Sequence, residues 1–264
     1  MKTIYHFSGA GNDFVVIDGR EGDVSAFREV PRIEALCQEY KTDGLMILGS
    51  GDAEVDFTME FYNPDGSGGM MCGNGGRCIV AFADYLGIRP SSGGVFLFMA
   101  PDGLHTGEIL ERPADDLWTV RIKMIDVQGI TPMLGGYFLN TGTRHFVKFV
   151  DDVEQVDVDT EGKALRWNEA FAPIGTNVNF VHVAPDGLHV RTFEKGVEGE
   201  TLACGTGLTA CALVAHHAGV PTATPGAYRL RARQDWLSVN FTPGADEKFT
   251  DVYLTGPARL VEIR

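Results

Sequence analysis

One short motif occurs twice in this chain, half a chain apart, and that spacing restricts the architectures open to it. Met71-Cys72-Gly73-Asn74-Gly75-Gly76-Arg77-Cys78 lines up with Ala203-Cys204-Gly205-Thr206-Gly207-Leu208-Thr209-Ala210 at an offset of 132, and the chain has 264 residues. The same register sets Ala83 on Ala215, Gly87 on Gly219, Tyr5 on Tyr137, Phe14 and Val15 on Phe146 and Val147, and Phe61 on Phe193. A register shared in several separated places reads as an internal duplication, two halves of one plan. A second near-repeat, Ala100-Pro101-Asp102-Gly103-Leu104-His105 against Ala184-Pro185-Asp186-Gly187-Leu188-His189, has a different offset, 84. Pro-Asp-Gly between strand-like runs is turn chemistry, so these segments read as two hairpins with similar turns.

Most of the remaining pattern is strand. Residues 4–7, 14–17, 45–48, 54–62, 95–99 and 118–124 are β-branched or alternating runs bounded by Gly, Asp or Ser. The second half repeats the theme at 137–139, 146–150, 178–183, 188–193, 237–241 and 252–254. Residues 28–40, around Pro31, read as a surface helix. Two segments stand apart: 73–86 and 205–218 each run without Pro, are rich in Ala, Val, Leu and Cys, and are followed by Gly87 or Gly219 at a C-cap position. Helices apolar around most of their circumference are buried. The expected fold is therefore α+β, with two pseudo-symmetric halves. Each is a mixed, largely antiparallel, barrel-like sheet around one central helix. The expected division is 1–119 with a C-terminal strand 252–264, and 120–251.

Lys and Arg number 22 against 36 Asp and Glu, a formal charge of −14, which argues against a nucleic-acid partner because phosphate contacts need basic patches. No run of about 18 apolar residues suggests a membrane span, and the N-terminal residues do not read as a signal peptide. An odd number of cysteines, five, without an export signal points to reduced thiols in the cytoplasm, and no Cys/His spacing suggests a metal.

Cys72 and Cys204 each open a Gly-rich helix start. Helix N-termini carry backbone N–H groups without intrahelical acceptors and a partial positive charge, so they favour a docked carboxylate and a neighbouring thiolate. If the halves face each other, the two sulfurs lie on opposite sides of whatever binds between them. A thiolate on one face and a thiol on the other is the layout that inverts a stereocentre α to that carboxylate. Cys37, Cys78 and Cys211 read as small buried hydrophobes.

At these residues the chain resembles the diaminopimelate epimerase family of cofactor-independent amino-acid racemases and epimerases. The resemblance rests on Gly9-Ala10-Gly11-Asn12-Asp13-Phe14, on Asn63-Pro64-Asp65-Gly66-Ser67 leading to Cys72-Gly73-Asn74-Gly75-Gly76-Arg77, and on Glu200-Thr201-Leu202-Ala203-Cys204-Gly205-Thr206-Gly207, in family order over nearly the whole chain. It implies that Cys72 and Cys204 exchange protons with the substrate and that His145 and Glu194 tune their pKa values. Asn12, Asn63, Thr143, Asn177, Glu194 and Lys195 would contact the substrate, and the backbone of Gly73-Asn74 and Gly205-Thr206 would hold its reacting carboxylate. The reaction implied interconverts LL- and meso-diaminopimelate, feeding lysine and cell-wall synthesis, with no cofactor. A homodimer is compatible with it.

Two departures bear on specificity. The family usually has Glu-Arg where this chain has Glu194-Lys195, and Gly-Asn-Pro-His or Gly-Ser-Pro-His where it has Gly142-Thr143-Arg144-His145. Lys keeps the charge but loses the planar fork. The expectation is that Lys195 and Arg144 jointly serve the distal carboxylate, with Lys195 alone as the alternative. A racemase for another amino acid, a binding module without chemistry and a thiol redox protein are the rival readings.

Overall fold

A helix that is apolar on every side needs a wall on every side. In a computed structural model, which describes residues 2–69, 71–91 and 93–264, both central helices have one. The chain divides into two compact units, Met1–Ile122 with Gly256–Arg264, and Lys123–Thr255.

The first unit contains β1 (Tyr5–Ser8), β2 (Asp13–Asp18), α1 (Val30–Tyr40), β3 (Gly44–Ser50), β4 (Phe57–Tyr62), α2 (Gly73–Tyr85), β5 (Val95–Ala100), β6 (Gly103–Ala114) and β7 (Leu117–Lys123). The second contains β8 (Val127–Gln128), β9 (Thr131–Met133), β10 (Gly136–Asn140), β11 (Arg144–Phe149), α3 (Val158–Arg166), β12 (Asn177–Ala184), β13 (Gly187–Glu194), β14 (Gly199–Thr201), α4 (Gly205–His217), β15 (Ala227–Arg231) and β16 (Trp236–Pro243). The last strand, β17 (Lys248–Ile263), gives its first half to the second unit and its second half to the first.

In the first unit β1 to β7 pair in sequence order, and the second half of β17 pairs with both β7 and β1. This closes a barrel of eight strands, which leaves no open edge. β2–β3 and β4–β5 are parallel and the other pairs antiparallel. β2 and β3 are buried along nearly their whole length, because α1 covers their outer face through Ile33, Leu36 and Cys37 while α2 packs on the inner one. That accounts for their unbroken apolar runs, whereas β4 alternates. Gly73 to Ala83 of α2 are all buried. Phe7, Phe82 and Trp118 form an aromatic cluster beside it, with the Trp118 indole donating to Asp84 Oδ2 at 2.8 Å.

The second unit repeats this order. β10–β11, β12–β13, β15–β16 and β16–β17 are antiparallel, and β11–β12 and β13–β15 are parallel. Thr192, Phe193 and Glu194 of β13 also pair with β14. α4 packs against β10, β11, β12, β13, β15 and β16, with Gly205 and Gly207 to Ala215 buried. α3 and the 3-10 turn Glu169–Phe171 cover the outer face, through Val158 and Phe171 on Phe146, Val178, Phe180 and Phe193.

The duplication is clearest in the helices. α2 and α4 have thirteen residues each and start 132 apart. Both stop the same way: Ile88 N–H reaches the Ala83 carbonyl and Gly87 N–H the Asp84 carbonyl, as Val220 reaches Ala215 and Gly219 reaches His216. Gly87 and Gly219 sit at φ 75° and 73°, the left-handed region in which glycine is unstrained. The out-of-register Pro-Asp-Gly segments are indeed two hairpin turns, joining β5 to β6 and β12 to β13, with Asp102–His105 and Asp186–His189 contacts at 3.2 and 2.9 Å.

Six regular elements lack a strong sequence signal. β6 is long, polar at its far end and carries Pro113; α3 is short, polar and interrupted by Gly162; β15 alternates over only five residues; and β8, β9 and β14 have two or three each. Among the described residues, no helix is long and apolar enough to cross a membrane.

Candidate active site

Each unit builds a polar cluster at the start of its central helix, where a β-to-α connection delivers a cysteine in extended conformation.

In the first unit Cys72 is the N-cap of α2, at φ −101° and ψ 151°, and its Sγ accepts the Gly75 N–H at 3.2 Å. The side chain is exposed. An N–H donor at a helix start stabilises a thiolate more than a thiol. Gly75 is closely packed: a Cβ there would lie 3.3 Å from Cys72 Sγ and 3.4 Å from Met46 Sδ, so the cysteine sulfur would have to give way. Asn74 Nδ2 donates to Asn12 Oδ1, tying the first turn of the helix to the β1–β2 loop. Arg77, fully buried, anchors the arrangement. It donates to the carbonyls of Gly73, Gly9 and Pro257, each at 3.2 Å, and to Asn74 Oδ1 at 2.9 Å. Gly9 is pressed onto this turn, since a Cβ would lie 2.8 Å from the Asn74 carbonyl oxygen. Asn63 sits in the turn after β4, where its Nδ2 donates to Ser67 Oγ at 3.0 Å.

In the second unit Cys204 is the N-cap of α4 and is buried. Its Sγ lies 3.5 Å from Thr206 Oγ1. Thr206 Oγ1 is in turn 2.9 Å from His145 Nε2 and 3.0 Å from Thr143 Oγ1, and Thr143 Oγ1 is 2.9 Å from His145 Nε2. Thr141 Oγ1 donates to the Thr206 carbonyl at 2.9 Å, from the position equivalent to Gly9. Asn177 Nδ2 donates to the Arg144 carbonyl at 2.9 Å, and its Oδ1 accepts the Lys195 N–H at 2.8 Å. Asn177 thereby pins the β13–β14 hairpin that carries Glu194 and Lys195. Glu194 Oε2 accepts from Thr201 Oγ1 at 2.9 Å, and Lys195 is exposed.

Asn179 settles the state of the histidine. A carbonyl oxygen only accepts, so the Asn179 atom 3.1 Å from the Phe146 carbonyl is Nδ2, and its other hydrogen points to His145 Nδ1, also at 3.1 Å. Asn179 Oδ1 takes the Thr192 hydroxyl at 3.0 Å. His145 Nδ1 is therefore an acceptor, and the neutral ring carries its proton on Nε2, facing the two threonines. Burial opposes the imidazolium and pushes the His145 pKa down to about 3, against the smaller upward pull of Asn179. Burial likewise raises the thiols of Cys78 and Cys211, which suits inert packing groups.

The histidine has a consequence for stability. The unfolded chain protonates His145 near pH 6.5, the folded one only near pH 3. Between these values the unfolded state binds the extra proton, so stability falls as the pH falls, by roughly 1 kcal/mol per pH unit from this group. Urea unfolding between pH 4 and 7 is expected to show this slope, and His145→Gln to reduce it. An equal slope in the variant would refute the assignment.

Arg144 stands apart from this cluster. Successive strand residues face opposite ways, so with His145 turned toward α4, Arg144 turns toward the outer layer. Its Nη1 donates to the Phe171 carbonyl at 3.3 Å, and the guanidinium lies 5.0 Å from the Phe138 ring centroid. The structure thus places Arg144 on the outer-layer side of β11, apart from the Thr143, His145 and Thr206 cluster. Sequence reasoning assigned no role to Arg77, Asn179 or Thr192. Arg77 had a signal, a lone charge inside an apolar helix, and Asn179 shares the face of Asn177 two residues on. Among the described residues no His, Cys, Asp and Glu cluster is arranged to hold a metal.

A family model described as diaminopimelate epimerase matches residues 4–92 and 137–261. The diaminopimelate epimerase of Chlorobaculum tepidum is 40% identical over 263 residues, covering 96% of this chain and 97% of that protein. That of Aquifex aeolicus is 39% identical over 273 residues, covering 96% and 93%. Among solved structures, a phenazine biosynthesis protein of the PhzF family from Bacillus anthracis superimposes with a TM-score of 0.77 at 10% identity, covering 100% of this chain and 98% of that one. A hydroxyproline epimerase from Agrobacterium vitis gives 0.66 at 15% identity, with 100% and 91% covered. The structural likeness carries the fold alone. The family model and the near-full-length sequence identity carry more: this chain belongs to the diaminopimelate epimerase family.

Proposed function

We propose that the protein is an isomerase that interconverts LL- and meso-diaminopimelate, a step of lysine biosynthesis, using Cys72 and Cys204 on opposite faces of one α-carbon. The observation that carries this reading is the equivalence of the two cysteines: each is the N-cap of a buried thirteen-residue helix, at the same place in each unit. One sulfur, as thiolate, takes the α-proton; the C–H electron pair moves into the adjoining carboxylate. The opposite thiol then gives its proton to the other face, so an S–H forms on one side as an S–H breaks on the other. The enzyme finishes with its thiol and thiolate exchanged, ready for the opposite epimer.

Helix geometry turns the first-turn amides of Gly73-Asn74 and Gly205-Thr206 outward, and these hold the reacting carboxylate as its negative charge grows. Asn12, held by Asn74, and Asn63 line the first half of the site; Thr143, Asn177 and Glu194 line the second. The distal carboxylate goes to the exposed Lys195, without Arg144. Two working thiols must stay reduced, which supports a cytoplasmic enzyme.

Incubating LL-diaminopimelate with the protein in deuterium oxide is expected to yield meso product with deuterium at the inverted α-position. Absence of both label and inversion would refute the reading. Product from other amino acids but not from diaminopimelate would transfer it to a different racemase.

A further inference from the structure

Resting on the reading just given, we infer that Thr206 is a positioning residue whose hydroxyl hands a hydrogen bond to the Cys204 sulfur, with neutral His145 and Thr143 as the donors that aim it.

The placed donors and acceptors fix the histidine, and a thiolate at Cys204, which can only accept, fixes the hydroxyls. The Phe146 carbonyl fixes the Asn179 amide, and the Asn179 amide makes His145 Nδ1 an acceptor. The ring proton therefore sits on Nε2, 2.9 Å from Thr206 Oγ1. The Thr143 hydroxyl lies 3.0 Å from the same oxygen. The same Nε2 is also 2.9 Å from Thr143 Oγ1; with Cys204 Sγ, 3.5 Å away, as thiolate, Thr206 gives its one proton to sulfur and its oxygen is left to accept from His145 and Thr143. The cluster leaves little slack. A Cβ on Gly207 would lie 2.4 Å from Asn179 Oδ1 and 3.3 Å from His145 Cε1, so only glycine lets the β11–β12 face reach the helix start this closely. The chain of bonds makes His145 a donor acting through a threonine, rather than a cation or a base acting on sulfur directly.

A hydrogen bond given to sulfur favours thiolate over thiol. Within this unit the other titratable groups near the start of α4 are few. β13 ends in Glu194, which is bonded to Thr201, and Lys195 beyond it is exposed. β14 brings Glu200, which is paired with Arg191. Cys211 lies two turns along α4 itself, and β12 faces the cluster with the uncharged Asn177 and Asn179. On β10 and β15, Tyr137 packs on His217 and Tyr228 donates to the Val220 carbonyl, both toward the far end of the helix. β16 has no titratable residue.

The test reads the sulfur rather than turnover. In a Cys72→Ser background, the rate of iodoacetamide modification at Cys204, located by mass spectrometry, is followed against pH. Thr206→Val, or Thr206→Ala, is expected to move the midpoint up by about one pH unit, a roughly tenfold smaller thiolate fraction below the midpoint. Thr206→Ser restores the parent profile. His145→Gln, a neutral donor of similar size, stays close to the parent, whereas His145→Leu moves with Thr206→Val. An unmoved midpoint in both Thr206→Val and Thr206→Ala, or equal shifts in His145→Gln and His145→Leu, would overturn the proposal. Failure of the unmodified protein to label diaminopimelate in deuterium oxide would instead remove the epimerase reading and leave the alkylation result standing.

Discussion

Cys72→Ser and Cys204→Ser each lower the epimerisation rate by about a thousandfold or more, the range a positioned general acid or base supplies. Serine preserves the size and the place at the helix N-cap, so neither variant needs to disturb the fold. What changes is acidity. A thiol near pKa 8.5 is brought within reach of neutrality by a helix start; an alcohol is not. The two variants differ in a way that a single-base enzyme would not show. With one sulfur left, a proton can still leave and return on one face, so residual exchange of the α-hydrogen with deuterium oxide, without inversion, is confined to one epimer in Cys72→Ser and to the other in Cys204→Ser. Proton NMR of each pure epimer in deuterium oxide reads both quantities. Epimerisation within tenfold of the unmodified rate in either variant would end the two-base account.

Arg77→Leu lowers stability by about 3–5 kcal/mol, the loss expected when several buried acceptors go unsatisfied at about 1–3 kcal/mol each. The leucine fits an otherwise apolar helix, so packing is not the difficulty. The difficulty lies in what Arg77 leaves behind: the Gly9 carbonyl and the side-chain oxygen of Asn74 lose a buried donor, and the part-buried Pro257 carbonyl loses one as well. Natural domains have about 5–15 kcal/mol in hand, so this is a large share. Arg77→Lys keeps the charge and fails to span acceptors on three segments, and it recovers only part of the loss. Urea denaturation midpoints of the two variants decide the matter. A loss below about 1 kcal/mol for the leucine variant would show that the fork is dispensable. Asn12 belongs to the same network through Asn74, so the damage also loosens the β1–β2 loop.

Much of the plan is legible in the order of residues. A motif repeated at half the chain length is a statement about architecture, and the two helices start and stop where their Cys-Gly starts and Gly87 and Gly219 stops indicate. Caps are local: a helix end depends on the few residues that satisfy its own backbone. The same holds for the β5–β6 and β12–β13 hairpins, each carried by a Pro-Asp-Gly turn. The polar network around Cys204 is of another kind. Its members come from β11, β12, β13 and α4, and each bond depends on strand register, where a slip of one residue turns a side chain to the other face.

His145 and Arg144 make the contrast plain. Adjacent in the chain and both polar, they look equally able to serve a site at the level of sequence. The pleat sends one inward, to a threonine beside Cys204, and the other outward onto Phe138 and the Phe171 carbonyl. The state of the histidine is further still from the sequence, because it depends on an asparagine 34 positions away, oriented by a backbone carbonyl. Sequence alone determined the doubling of the fold, the burial of two helices and the placement of a cysteine at the head of each, because these follow from local periodicity and capping. Tertiary structure alone decided which polar side chains meet, which way their protons point and which charged residue is turned away, because those are properties of faces and registers that distant segments set for one another.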